Sequence, residues 1–188
     1  MDNNREPRRL QPVSLIMTIM LLLIFAPTTQ AKHLSANHSL TMDPFSGQVV
    51  TDKVKNEILN FFHEAEVAIE NERLDELMTL YSDKYVNGPH SKEMVREIWK
   101  RLFSQMDRLA TVHRMSLITT SPNSDVVIIR CSGLLVGHPQ GEKNLTTADT
   151  WMNNEHVLAK VDGKWKLIGT TGNERERFWF DKSMHPLF

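Results

Sequence analysis

Three side chains of this 188-residue sequence have types suited to moving a proton at neutral pH: His113, His156 and Asp149. An imidazole near its ordinary pKa gives or takes a proton around pH 7 when a substrate comes within hydrogen-bond reach, and a carboxylate can partner it or act as a base itself. Around these, Tyr81, Tyr85, His90, Trp99 and Trp151 are candidates to line a ligand cavity. Tyr and Trp suit that task because each joins a large apolar body to a polar tip. Tyr85 and His90 fall in a stretch read as a loop, where polar residues beside an apolar cavity are better placed for binding than those on a helix face. Plainer readings stand beside these. Either histidine can be a core residue satisfied by one hydrogen bond, Trp99 can be one member of an ordinary apolar stripe, and Cys131 reads as a small buried hydrophobe on a strand. The eight histidines include no His-x-His or His-x-x-x-His pair, and a single cysteine excludes a zinc site built on thiolates. No metal and no cofactor is expected.

The histidine and the carboxylate are positioned by one hairpin. Residues 148–172 read as a long strand, a two-residue turn at Asp162-Gly163, and a returning strand. Asp-Gly between apolar runs favours a type I′ turn, which needs positive φ at both central residues. The turn sets the register, so Val161 faces Lys164 and pairing continues outward to His156 opposite Gly169. By parity His156, Leu158, Trp165, Leu167 and Gly169 share the inward face, with Lys160 near the tip. Asp149 has the opposite parity. A bulge at Asn153-Asn154 would turn Asp149 and Trp151 inward.

Before the hairpin the chain alternates helical and strand periodicity. Thr51 or Asp52 can cap a helix whose apolar positions are Val54, Ile58, Phe61, Phe62, Ala65 and Ile69. Asn71-Glu72 interrupts it, and Leu74, Leu77, Met78 and Tyr81 form a shorter amphipathic stretch. Residues 82–90 read as a loop by their Gly, Pro and Asn content. Ser91 caps a third helix with the stripe Val95, Ile98, Trp99, Leu102, Phe103 and Met106. If Trp99 is buried, its indole N–H needs a partner. Strands follow at Thr111–Thr119 and Asp125–Val136. His113, Met115 and Leu117 lie on one side of the first; Arg130 of the second faces outward or meets an ion partner. Three helices followed by four antiparallel strands predict an α+β fold with helices on one sheet face.

Composition is that of a globular domain, 40% hydrophobic and 24% charged, and a formal net charge of −1 leaves no footprint for nucleic acid. Residues 1–31 carry three arginines, an apolar run from Leu15 to Ala26, and small residues ending at Ala31, the pattern of a signal peptide too short to span a bilayer. Export with cleavage near Ala31 is expected, to the periplasm or the exterior, with an uncleaved membrane anchor as the alternative. Cleavage removes three of 22 basic and two of 23 acidic residues, leaving a net charge of −2 and no membrane span. Residues 32–50 read as a linker or loosely docked arm, 51–172 as the domain, and 173–188 as a C-terminal tail.

The order of elements, with Leu74-Asp-Glu-Leu-Met-Thr-Leu-Tyr-Ser-Asp83, Gly88 before the Ser91 helix, Trp151, and Asp162-Gly-Lys-Trp-Lys-Leu-Ile168, resembles the nuclear transport factor 2-like superfamily, in particular its SnoaL-like bacterial members. The resemblance covers roughly Thr51 to Gly172. It implies a cone-shaped fold, a curved antiparallel sheet wrapped round the first helix with a pocket at the open end. It also implies frequent homodimerisation through the outer sheet face. Steroid isomerases of the superfamily use a carboxylate base with a tyrosine and a neutral acid, and its dehydratases a His–Asp pair; no local motif here maps cleanly onto either. Three functions stand open: an exported domain binding a small hydrophobic or polar organic molecule without catalysis, a lyase or isomerase using His113, His156 or Asp149, and a protein-interaction or dimerisation domain.

Overall fold

The computed structural model describes residues 40–42, 50–121, 123 and 125–171. The expected signal peptide, its cleavage point at Ala31 and the tail 173–188 lie outside the described residues.

Thr51 caps helix α1 (Asp52–Glu70), its side chain accepting the Val54 N–H at 3.4 Å. Every apolar position of the expected stripe is buried, as the 3.6-residue period requires of a helix covering a sheet. The helix ends at Asn71, and Glu72 turns the chain away at φ 55°. A short α2 (Leu74–Thr79) follows, then two miniature strands, β2 (Val86–Asn87) and β3 (His90–Ser91), where the sequence suggests only a loop. Gly88, at φ 54°, makes their turn. Ser91 caps α3 (Lys92–Gln105) through the Met94 N–H at 3.4 Å. Thr51→Ala removes the α1 cap and is expected to cost about 1 kcal/mol, read as a lower urea midpoint with an unchanged slope.

Strand β4 (Met106–Thr120) begins directly after α3, five residues before the expected start. Met106 belongs to the strand, not to the helix stripe. It is fully buried, and an apolar residue here fits both the end of a helix stripe and the inner face of a strand, so periodicity could not separate the two. Three strands complete the sheet: β5 (Val126–Pro139), β6 (Thr146–Val161) and β7 (Lys164–Thr171). They pair antiparallel in the order β4-β5-β6-β7. From the expected linker, β1 (Leu40–Met42) joins β4 in parallel, Leu40 against Met115.

The hairpin forms with Val161 opposite Lys164, and Asp162 and Gly163 at φ 52° and 75°. One detail of the register is corrected. His156 faces Thr170, not Gly169, because Ile168 is an extra residue between the Leu158–Leu167 and Val157–Gly169 pairs. Gly169 lets the β2 backbone come close: a Cβ there would lie 2.7 Å from the Val86 carbonyl oxygen. On β6 a bulge at Met152–Asn153, with Asn153 at φ 54°, and a further shift near Ala148 bend the strand. Trp151 and Asp149 are consequently both buried.

These bends curl the sheet round α1. The helix reaches β4 at one side through Glu66 and the hairpin at the other through Glu57. At the hairpin, Glu57 accepts the Trp165 indole N–H at 2.9 Å and pairs with Lys160 at 2.7 Å, while the Lys160 ammonium lies 5.1 Å from the centre of the Trp165 ring. One hydrophobic core, running from Val54, Ile58 and Leu167 to Leu102 and Leu109, fills the space between helix and sheet, and Glu66, Thr111, Asp149 and His156 are buried as well.

Candidate functional site

The inner face of the sheet presents side chains in rows, one residue from each strand. Thr111, Leu135 and Asp149 form one row; His113, Gly133 and Trp151 the next; Leu117, Ile129, His156 and Thr170 a later one. Parity therefore puts both histidines on the face that looks at α1.

Helix α1 answers with a carboxyl group. Glu66 is fully buried, and its Oε1 lies 2.5 Å from Nε2 of His113, whose side chain is also without exposed surface. The other ring nitrogen, Nδ1, lies 3.6 Å from Cys131 Sγ. The Trp151 indole N–H donates to that sulfur at 3.1 Å. Burial pushes the Cys131 thiol up to about 12, with the neighbouring Glu66 acting in the same direction, so the thiol keeps its proton at neutral pH. Four side chains from four elements thus form one chain of contacts: Glu66, His113, Cys131 and Trp151.

A second polar group lies across Phe62. The Phe62 ring centre is 5.8 Å from that of His113 and 6.4 Å from that of His156, so one aromatic side chain stands between the histidines. His156 is fully buried, with its Nδ1 3.4 Å from Thr170 Oγ1. Tyr85 neighbours Thr170 and Asn87, and burial pushes its phenol up to about 12. Its ring meets Tyr81 edge to face at 5.0 Å. Tyr81 accepts the Trp99 indole N–H at 3.1 Å, which supplies the partner the sequence demands for a buried Trp99, and burial raises its own phenol well above the ordinary tyrosine value.

The candidates from the sequence therefore divide. His113 and Trp151 share the Glu66 cluster, while His156, Tyr85, Tyr81 and Trp99 form a continuous run on the other side of Phe62. His90 is buried in β3, paired with Asn87. Asp149 is buried two residues from Trp151, and its Oδ1 accepts the Thr150 backbone N–H at 2.7 Å. Glu66 is the residue sequence reasoning missed. It lies four residues after Phe62 and three before Ile69, inside the apolar stripe, and a carboxylate at such a position is the signal that marks it.

Of the solvent-open grooves among the described residues, two adjoin the sheet. One, of about 750 Å³, lies on the outer sheet face among Val112, Arg114, Arg130, Leu134 and Met152. The other, of about 460 Å³, separates α1 from the hairpin tip and is lined by Glu57, Glu64, Lys164 and Lys166. Among the described residues no three His, Cys, Asp or Glu side chains are grouped to hold a metal ion, and no helix is long and apolar enough to cross a membrane.

This arrangement of α1 against a bulged, curled antiparallel sheet defines the nuclear transport factor 2-like, or cystatin-like, fold, and solved structures share it. Aln2 from a Streptomyces species is similar with a TM-score of 0.54 and 8% identity over 65% of this chain and 91% of its own. A protein of unknown function with a cystatin-like fold from Nostoc punctiforme gives 0.50 and 16% identity over 65% and 92%. A protein from Novosphingobium aromaticivorans, provisionally named a scytalone dehydratase, gives 0.50 and 13% identity over 71% and 92%. The chain spans 41% of a further, longer structure. No family model and no curated protein matches the sequence. The fold read from the sequence is the fold observed.

Proposed function

We propose that this domain binds a small organic molecule of mixed polar and apolar character between α1 and the inner sheet face, without turning it over. One observation carries the reading: Glu66, His156, Tyr85 and Asn87 are buried, the His113 side chain is buried against Glu66, and Thr170 lies beside His156. Removing polar groups from water costs free energy even when they find partners, and folds keep such clusters mainly where function requires them. Phe62 and the tyrosines supply the apolar walls a ligand body needs. A second reading, a lyase or isomerase, is favoured by the contact between Glu66 and His113, a carboxyl–imidazole pair able to share a proton with a bound substrate.

The same reading takes residues 1–31 as a cleaved export signal and the outer face, with exposed Val112 and Met152, as the surface for a homodimer. Native mass spectrometry of the protein purified from its own host tests all three parts together. The expected result is a dimer of chains beginning near Lys32 that carries a small extra mass, lost on denaturation and absent from His113→Ala protein. A bare mass, with no shift in melting temperature across a library of small aromatic and alicyclic compounds, sinks the binding reading. Conversion of such a compound by wild type but not by His113→Ala selects the enzymatic one.

A further inference from the structure

The contacts around Cys131 have a direction. An indole N–H only donates, so Trp151 uses a lone pair of the Cys131 sulfur. The protonated thiol then has its own hydrogen to place, and His113 Nδ1, 3.6 Å away, is an acceptor within its reach. A nitrogen that accepts carries no proton, and in a neutral imidazole the proton then sits on the other nitrogen. That other nitrogen, Nε2, points at Glu66 Oε1.

We propose that Cys131 is a positioning residue that holds His113 as the Nε2–H tautomer, so that donors run one way from Trp151 through Cys131 and His113 to Glu66. Three elements of the sheet thereby serve one carboxyl group on α1. The consequence reverses the roles the sequence suggests. His113 acts as a donor that orients Glu66, and Glu66 is the acceptor that a ligand hydroxyl or acidic C–H meets. This consequence rests on the proposed ligand site, whereas the tautomer itself is a property of the ligand-free protein.

The test is nitrogen-15 NMR of the histidine rings in the full mature protein at neutral pH, with His113→Gln used to assign the His113 signals among the other histidines. The expected wild-type signature is a bare, hydrogen-bonded Nδ1 and a protonated Nε2. Cys131→Ala is expected to lose that single signature, giving a mixture of tautomers or the opposite one, and Cys131→Ser, which restores an X–H donor, to recover it. A protonated Nδ1 in wild type overturns the proposal, and so does an unchanged signature in Cys131→Ala. If Cys131→Ala does not fold, the wild-type and Cys131→Ser spectra still decide. Because no ligand is added, failure here leaves the binding reading standing, and a ligand-free protein with the expected tautomer leaves the positioning role standing.

Discussion

A single methyl group added at residue 133 is expected to destabilise the domain more than any other one-carbon change on the inner face. The Cβ of a Gly133→Ala variant would lie 2.5 Å from the Val112 carbonyl oxygen, 2.6 Å from Cζ2 of Trp151 and 2.7 Å from Cβ of His113. None of these is the free end of a flexible side chain. The first is backbone in the centre of the sheet, the second a rigid indole held by its bond to Cys131, and the third a β-carbon fixed by β4 itself. Overpacking of cores commonly costs about 1 to 3 kcal/mol, and a site with three immovable neighbours belongs at the upper end. Urea unfolding should show a loss of about 3 kcal/mol, a large share of the roughly 5 to 15 kcal/mol that holds a domain folded. Weakened quenching of Trp151 fluorescence should accompany it as the indole leaves the sulfur. A variant within about 0.5 kcal/mol of wild type, the range of neutral surface changes, would mean that Trp151 does not rest over Gly133.

The second large effect concerns the Glu66–His113 pair. Glu66→Leu leaves a buried imidazole facing hydrocarbon, and His113→Leu leaves a buried carboxyl group in the same position. Breaking a buried pair from one side typically costs about 3 to 5 kcal/mol. The Glu66→Leu/His113→Leu double variant strands neither group and is expected to regain most of that loss, even to exceed wild type, since apolar replacements of buried pairs are often neutral or stabilising by about 1 to 4 kcal/mol. Equilibrium unfolding of all four proteins closes the cycle. A double variant as unstable as the sum of the singles would show that the two groups are not coupled. A stabilised double variant that no longer holds ligand would show that the pair is kept for binding at the expense of stability.

Much of the scaffold was legible in the chain because it rests on local rules. Thr51 and Ser91 cap their helices, Asp162-Gly163 makes the turn, and the alternation through His113, Met115 and Leu117 puts those residues inside. The two asparagines at 153 and 154 pointed to a bulge, which forms one residue earlier, at Met152–Asn153, with Asn154 already paired to Cys131. What the sequence hid depends on contacts distant along the chain. Glu66 meets His113 47 residues away, and nothing near Glu66 but its place among apolar neighbours sets it apart from the other glutamates of α1. The extra residue at Ile168 carries no turn or bulge signal of its own, so local register rules put His156 opposite the wrong partner. The early start of β4 was hidden because an apolar Met106 fits the pattern of a helix end as well as that of a strand start.

The small elements at the sheet margins bear on how this protein can go wrong in concentrated solution. An unpaired strand margin offers peptide N–H and C=O groups to any neighbour and is a common template for fibrillar growth. Here Leu40–Met42 covers Met115–Leu117 in the C-terminal half of the β4 margin. On the opposite side, the Leu167 N–H donates to the Leu80 carbonyl at 2.8 Å and the Ser82 N–H to the Leu167 carbonyl at 2.9 Å, which occupies the middle of β7. Part of each margin is therefore spoken for within one molecule. Strand addition at either stretch would first have to displace a segment already paired within the molecule.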